Sequence, residues 1–183
     1  VTQTAIQLYA QVYDNNAYYG RSEDLILATI LYTATRVNGY AYSPDRLATY
    51  FDIDKNSMIK TMRYFTSEFD SLVLQPITPD SYIDTACSEL GVSDEFRDLA
   101  MEMNAVCSDS TTLLSGKSPN GFAAGIMYAT TKLVDPNASV NGEDVQLTQK
   151  RVGEQFNVSQ VTIRKRYQEQ LEYFVKNSSY SVE

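Results

Sequence analysis

The stretch TQKRVGEQFNVSQVTIRKRY, residues 148–167, predicts a short helix, a tight turn and a second helix. Thr148 and Ser159 are residue types that cap helix N-termini, and Asn157 tolerates the left-handed backbone conformation of a tight turn. Gly153 is small, at a position where the second helix can cross the first closely. Two helices joined in this way form a helix-turn-helix, a motif that places its second helix in the major groove of DNA.

The outer side of the second helix is predicted to be basic, although the chain as a whole has a net charge of −8. Residues 148–168 hold five Lys and Arg residues against Glu154 alone, which gives this segment a charge of +4. Because the whole chain has a net charge of −8, the remaining residues carry −12. An outward arginine can pair with two acceptors of guanine, and an outward valine can touch a thymine methyl group. Helical spacing directs Ile163, Tyr167, Leu171 and Phe174 inward and Val161, Arg164, Lys165 and Gln168 outward.

The two halves of the chain repeat one another. GRSEDLILATILYTATRV (residues 20–37) aligns with GKSPNGFAAGIMYATTKL (116–133), and SPDRLATYFDIDKNSMIKTM (43–62) aligns with residues 148–167. The nine additional residues of the second half fall in DPNASVNGEDVQL, residues 135–147. This self-similarity predicts a duplicated helical unit.

Helical patterns run along the whole chain and no period-two alternation is sustained, which predicts an all-α protein. The two prolines of QPITPD interrupt the helical pattern and indicate a linker. We therefore predict a first repeat over residues 1–75, a linker over 76–80 and a second repeat over 81–183, with the helices resuming at Ser81.

The composition argues against catalysis and against a bound metal. The chain has no histidine, so His-based triads are unavailable, and its two cysteines cannot build a four-ligand zinc site. We expect Cys87 and Cys107 to be buried thiols rather than a disulfide. The segment GKS is part of a phosphate-binding loop in other proteins, but Thr111 stands where that motif needs a glycine. We expect no enzyme activity, cofactor, metal site or small-molecule substrate.

The apolar segments are too short to cross a bilayer, which takes about 20 residues. The N-terminus has neither the basic start nor the apolar block of a signal peptide. We expect a soluble cytoplasmic protein without membrane contact. Its acidity has two interpretations, a salty cytosol that screens self-repulsion or a basic surface on a protein partner.

Two motifs of the second repeat resemble those of archaeal transcription factor B, the counterpart of eukaryotic transcription factor IIB. That family has G-K-S-P-x-G-x-A-A, which this chain carries at residues 116–124. It also has T-Q-x-x-V-A followed by V-[ST]-x-V-T-[IV]-R-x-R-Y, and residues 148–167 match the fixed positions of this pattern except at Gly153, where the family has alanine. The resemblance covers nearly the whole chain and is stronger in the second repeat. It implies two cyclin-like repeats of five helices each, the second ending in the helix-turn-helix.

The resemblance also implies a function and a set of contact residues. Members of the family bind the complex of TATA-binding protein with bent promoter DNA, read an element upstream of the TATA box and support recruitment of RNA polymerase. By position, the base contacts fall to Val161 and Arg164. The candidates for contacts to the DNA backbone or close to it are Gln149, Lys150, Ser159, Thr162, Lys165 and Lys117.

The first half departs from the family pattern. It contains no zinc ribbon, so we expect polymerase contact to depend mainly on an N-terminal region outside this sequence, and the first helix of the first repeat has no match. Asn56 and Ile59 stand where the second repeat has Val161 and Arg164, so the first copy lacks the base-reading pair. The resemblance implies that the first repeat lies downstream and helps to set the direction of transcription.

A cyclin-like adaptor that binds proteins without contacting DNA is the alternative function, since a fold does not determine a function. Such an adaptor has no need of a basic face formed by Arg164, Lys165 and Arg166. A solvated helix face is the alternative explanation for the same three charges.

Overall fold

The computed structural model describes residues 1–180, and the chain divides into two compact units between Ile77 and Thr78. Both units are built from packed α-helices, so the predicted all-α class is confirmed. Within the described residues, every helix is too short or too polar to span a membrane.

Unit 1, Val1–Ile77, has a helix at its centre that is buried on most sides, as its nearly unbroken apolar sequence predicts. This helix, α2 (Glu23–Val37), packs against the one helix that precedes it and the two helices that follow it in unit 1. The side chains of Ser22, Ser43 and Asp54 cap three of the helices by accepting a hydrogen bond from a backbone N–H three residues further on. The helices of unit 1 are α1 (Thr2–Asp14), α2 (Glu23–Val37), α3 (Pro44–Tyr50) and α4 (Lys55–Glu68).

Unit 2, Thr78–Glu183, is built around the helix α8 (Pro119–Thr130), whose side chains Phe122, Ile126 and Met127 are fully buried. Its elements are α5 (Pro79–Leu90), α6 (Asp94–Ser108), α7 (Thr111–Leu114), α8 (Pro119–Thr130), β1 (Ser139–Val140), β2 (Glu143–Asp144), α9 (Gln149–Phe156) and α10 (Gln160–Asn177). Helix α8 packs against α5, α6 and α9, and most extensively against α10. Helix α5 begins two residues before the predicted Ser81, because Thr78 caps it and proline is tolerated in the first turn.

A short β-hairpin interrupts the helices of unit 2, and the sequence pattern did not predict it. Strands β1 and β2 pair antiparallel around Asn141 and Gly142, whose φ values are 55° and 82°. Asn-Gly is the residue pair that favours such a turn. The N–H of Ser139 donates to the carbonyl oxygen of Gly91 at 3.3 Å, and a Cβ on Gly91 would overlap the Ser139 carbonyl. The nine additional residues therefore form a loop that is attached to the turn after α5.

Both cysteines are buried free thiols, as predicted. The sulfur of Cys87 in α5 lies 3.8 Å from the sulfur of Met127 in α8. The Cys107 thiol donates to the carbonyl oxygen of Gln170 at 3.5 Å. Burial raises the pKa of each thiol to about 12, so that both stay protonated near neutrality.

We expect both thiols of the folded protein to resist alkylation at pH 8. The thiolate is the reacting species, and a pKa of about 12 leaves only about one thiol in ten thousand ionised at that pH. Mass spectrometry after one hour in iodoacetamide should find the folded protein unmodified. The same protein in guanidinium should carry two adducts. Rapid labelling of the folded protein would contradict the burial of these side chains.

Candidate nucleic-acid interface

The helix-turn-helix predicted for unit 2 is formed by α9, a turn and α10. Thr148 caps α9, since its hydroxyl oxygen accepts a hydrogen bond from the N–H of Arg151 at 3.2 Å. Ser159 caps α10 in the same way, accepting from the N–H of Thr162 at 3.2 Å. Each cap satisfies a backbone donor that the first helical turn would leave unpaired, so these two residues define where the helices begin.

The turn between the two helices depends on an asparagine that tolerates the left-handed backbone conformation and on a glycine where the two helices come close. Asn157 has a φ of 52°, the left-handed conformation predicted for it. A Cβ on Gly153 would lie 2.7 Å from the carbonyl oxygen of Val158 and 3.6 Å from Cδ1 of Ile163. A Cβ at residue 153 would therefore displace the Val158 carbonyl, because α10 returns across α9 at this point.

Val161, Arg164 and Lys165 project into solvent from one side of α10. Val161 is 59% exposed, and the arginine and lysine are exposed as well. Within residues 1–180, neither of these two cations forms an ion pair with a carboxylate. Two cations without a neutralising partner, beside an exposed apolar group, suit the phosphates and base edges of a duplex.

The other candidate contacts of the motif surround this face. Lys150 of α9 has a side chain that is 75% exposed, with its Nζ 4.0 Å from a carboxylate oxygen of Glu154. Gln149 and Thr162 are half-buried, and the Thr162 hydroxyl lies 2.9 Å from that of Ser159. The structure thus gathers five of the six backbone candidates on or beside the two helix beginnings.

Lys117 lies outside the motif, in the loop that leads into α8. Its Nζ is 3.1 Å from a carboxylate oxygen of Glu169 on α10, and its side chain is only 22% exposed. A phosphate that binds Lys117 therefore has to compete with this carboxylate.

Arg166 does not belong to the exposed basic face that the sequence pattern predicted. It is half-buried, and its Nη1 donates to the carbonyl oxygen of Ser118 at 3.4 Å. Burial lowers the pKa of its guanidinium. A Cβ on Gly121 would come within 2.9 Å of Nη1, so the guanidinium lies against α8. Arg166 follows the buried Ile163 by three residues, which places it on the inner side of the helix.

A second polar residue of α10, Gln170, is buried against α8 and was missed in the sequence. It is 2% exposed, and its Nε2 donates to the carbonyl oxygen of Phe122 at 3.0 Å. A Cβ on Gly125 would overlap its amide group. The available signal was the pair of glycines four residues apart in an apolar helix, Gly121 and Gly125, which leaves space on one side of α8.

Unit 1 contains the same backbone motif in α3 and α4. Asp52 has a φ of 50° and occupies the turn position of Asn157. At the positions of Val161 and Arg164, Asn56 is exposed and Ile59 is half-buried. The motif is therefore duplicated in structure, while an exposed arginine stands at this position of the second helix in unit 2 and an isoleucine in unit 1.

Comparison with known proteins identifies the family. The family described as "Transcription factor TFIIB repeat" matches residues 1–68 and 73–173. A transcription initiation factor IIB of Archaeoglobus fulgidus is 35% identical over 169 residues, which are 92% of this chain and 48% of the relative. Transcription initiation factors IIB of Halobacterium salinarum and Haloferax volcanii are 34% and 33% identical over 172 residues each, 94% of this chain.

The chain spans about half the length of the curated relatives that it matches. Within that span the match extends through both units and includes the helix-turn-helix of unit 2. The resemblance inferred from the sequence motifs is confirmed, and the chain belongs to the TFIIB repeat family.

Proposed function

We propose that this chain is the core of a transcription initiation factor that binds the complex of TATA-binding protein with promoter DNA. The observation that carries the proposal is the second helix of the unit 2 helix-turn-helix, which exposes Val161, Arg164 and Lys165 without an ion-pair partner among the described residues. The names of the relatives, transcription initiation factors IIB, support the same function.

In this proposal α10 lies in the major groove upstream of the TATA box. Arg164 pairs with a guanine and Val161 contacts a thymine methyl group, so that these two residues read the sequence. The remaining candidates carry ammonium, hydroxyl or amide groups, and they position the helix by binding phosphates, which carry no sequence information. They are Gln149, Lys150, Ser159, Thr162, Lys165 and, once released from Glu169, Lys117.

The two units have different roles in the proposal. Unit 2 reads the upstream element, whereas unit 1 lacks the arginine at the position of Arg164 and lies downstream. Because only unit 2 reads a DNA element, and that element lies on one side of the TATA box, the complex has one preferred orientation. This orientation sets the direction of transcription.

A mobility-shift titration tests the proposal. Duplexes with a TATA box, with or without an upstream purine-rich element, are mixed with the protein in the presence and absence of TATA-binding protein over a range of salt. A supershift that requires both the element and TATA-binding protein is expected. A protein that is folded by circular dichroism and gives no supershift at any salt concentration would instead be a protein-binding adaptor.

Replacing Lys165 with alanine should weaken binding to all promoter sequences alike. Lys165 is exposed and is assigned to a phosphate, so its loss should reduce the slope of log K against log salt by about 0.9. The titration above measures this slope. Lys165→Arg, which keeps the charge, is the matched control and should retain the slope. An unchanged slope in the alanine variant would remove Lys165 from the set of backbone contacts.

A further inference from the structure

An open cleft adjoins the helix-turn-helix of unit 2. Its volume is about 760 Å³, and it is bounded by the end of α8, the loop that carries the hairpin, and the beginnings of α9 and α10. We call it the flanking cleft, and its charged and amide-bearing walls are formed by Lys132, Asp135, Gln146, Gln149, Lys150 and Gln160. Two lysines against one aspartate make the lining positive, in a chain that is otherwise acidic.

Lys132 is held in position within this cleft. Its Nζ donates to the hydroxyl oxygen of Tyr128 at 3.1 Å and lies 4.3 Å from the centre of the same ring. The ring of Tyr128 in turn meets the ring of Tyr167 edge-on, with 5.0 Å between their centres. Because Tyr167 belongs to α10, the ammonium group is positioned relative to the helix that carries Val161 and Arg164.

The charge of Lys132 is not neutralised by the protein around it. Its side chain is exposed, and in the part of the chain that the structure describes no ion pair joins it to a carboxylate. Asp135 lines the same cleft, but its Oδ1 accepts a hydrogen bond from the N–H of Asn137 at 3.0 Å. A lysine ammonium that is positioned and unpaired is suited to a phosphate, for which it acts as a point charge.

We propose that the flanking cleft binds the sugar-phosphate backbone of the promoter beside the element read by α10, and that Lys132 contacts a phosphate there. This rests on the proposed function. The cleft shares Gln149, Lys150 and Gln160 with the helix-turn-helix, so a duplex seated on α10 continues directly into it. The contact adds to the affinity and to the set of backbone contacts that position α10, and it carries no sequence information of its own.

The test compares Lys132→Ala with Lys176→Ala in the complex with TATA-binding protein and the element-bearing duplex. Lys176 lies near the end of α10 and pairs with Glu172 at 2.7 Å, so it is a lysine control with the same change in charge. Lys132→Ala should lower the slope of log K against log salt by about 0.9 and weaken binding by about three- to tenfold. Lys176→Ala should leave both unchanged, and neither variant should alter the preference for the element.

Two further variants separate a local contact from a general charge effect. Tyr128→Phe keeps the ring against Tyr167 and removes the hydroxyl that holds Lys132, so it should reproduce part of the loss. Asp135→Asn keeps an acceptor for Asn137 and removes the one carboxylate of the cleft, so it should strengthen binding.

Duplexes with single neutral methylphosphonate linkages locate the contact. One linkage beside the element should weaken binding of the wild type and have no effect on Lys132→Ala. If the wild type prefers the element but Lys132→Ala keeps the wild-type slope of log K against log salt, the proposed role of the flanking cleft is contradicted and the proposed function stands. If the wild type fails to bind the duplex or to prefer the element, both are overturned.

Discussion

Replacing Arg164 with alanine should remove most of the preference of the protein for its upstream element over a scrambled sequence. Arg164 is exposed on α10 beside Val161, and a bidentate pair with guanine is worth about 1–3 kcal/mol of discrimination. The ratio of the two dissociation constants should therefore fall by about 5- to 150-fold. Competition between the two duplexes in the mobility-shift assay measures this ratio.

An exchange of Arg164 for lysine separates base recognition from charge. Lysine keeps the positive charge but loses the planar fork of donors that matches guanine. The lysine variant should therefore keep the salt dependence of the wild type and lose the preference for the element. An alanine variant that discriminates as well as the wild type would show that residues other than Arg164 read the element.

Replacing Gly125 with alanine should destabilise the protein by about 2 kcal/mol, although alanine in place of glycine stabilises most helices by about 1 kcal/mol. The new methyl group would overlap the amide of Gln170 and come within 3.0 Å of the Arg166 Cβ. To relieve the overlap, Gln170 has to give up its hydrogen bond to the Phe122 carbonyl inside a closed interface. Urea unfolding followed by circular dichroism measures the change.

The double variant Gly125→Ala, Gln170→Ala identifies the cause. Gln170→Ala alone should destabilise the protein, since it removes a buried hydrogen bond and leaves a cavity. In the Gly125→Ala background the same change should cost much less, giving a coupling of about 1 kcal/mol or more between the two sites. Additive effects of the two substitutions would mean that α8 and α10 do not pack against each other as described.

The backbone of the helix-turn-helix could be predicted from the sequence because its signals are local. Thr148 and Ser159 act on backbone groups three residues away, and Asn157 acts through its own φ. Gly153 acts within the same motif, on the carbonyl of Val158. None of these effects requires knowledge of a distant part of the chain.

The inner side of α10 could not be predicted in this way. Helical periodicity gave an outward set without Arg166, but this arginine was added to the basic face as the third of three consecutive cations. Gln170 was given no role. Their burial depends on the space left by Gly121 and Gly125, more than forty residues earlier in the chain. The hairpin escaped prediction for another reason, since strands of two residues are too short to show an alternation of burial.

The assignment of contact residues in the candidate site remains a prediction. The structure places Val161, Arg164 and Lys165 together in solvent, while Lys117 is engaged by Glu169. In the proposed complex, the choice among them depends on the shape of the DNA, which the sequence of this chain does not encode.

The interlocked inner side of α10 has a consequence for how such proteins diversify. Arg166 and Gln170 hold the helix on α8 by contacts that involve no outward residue, so the helix is mounted independently of what it displays. In the proposed function, substitutions at residues 161 and 164 would change the preferred sequence and leave the packing of α10 on α8 unchanged. Gene duplication followed by two such surface substitutions would then give a protein with a different promoter preference and the same core.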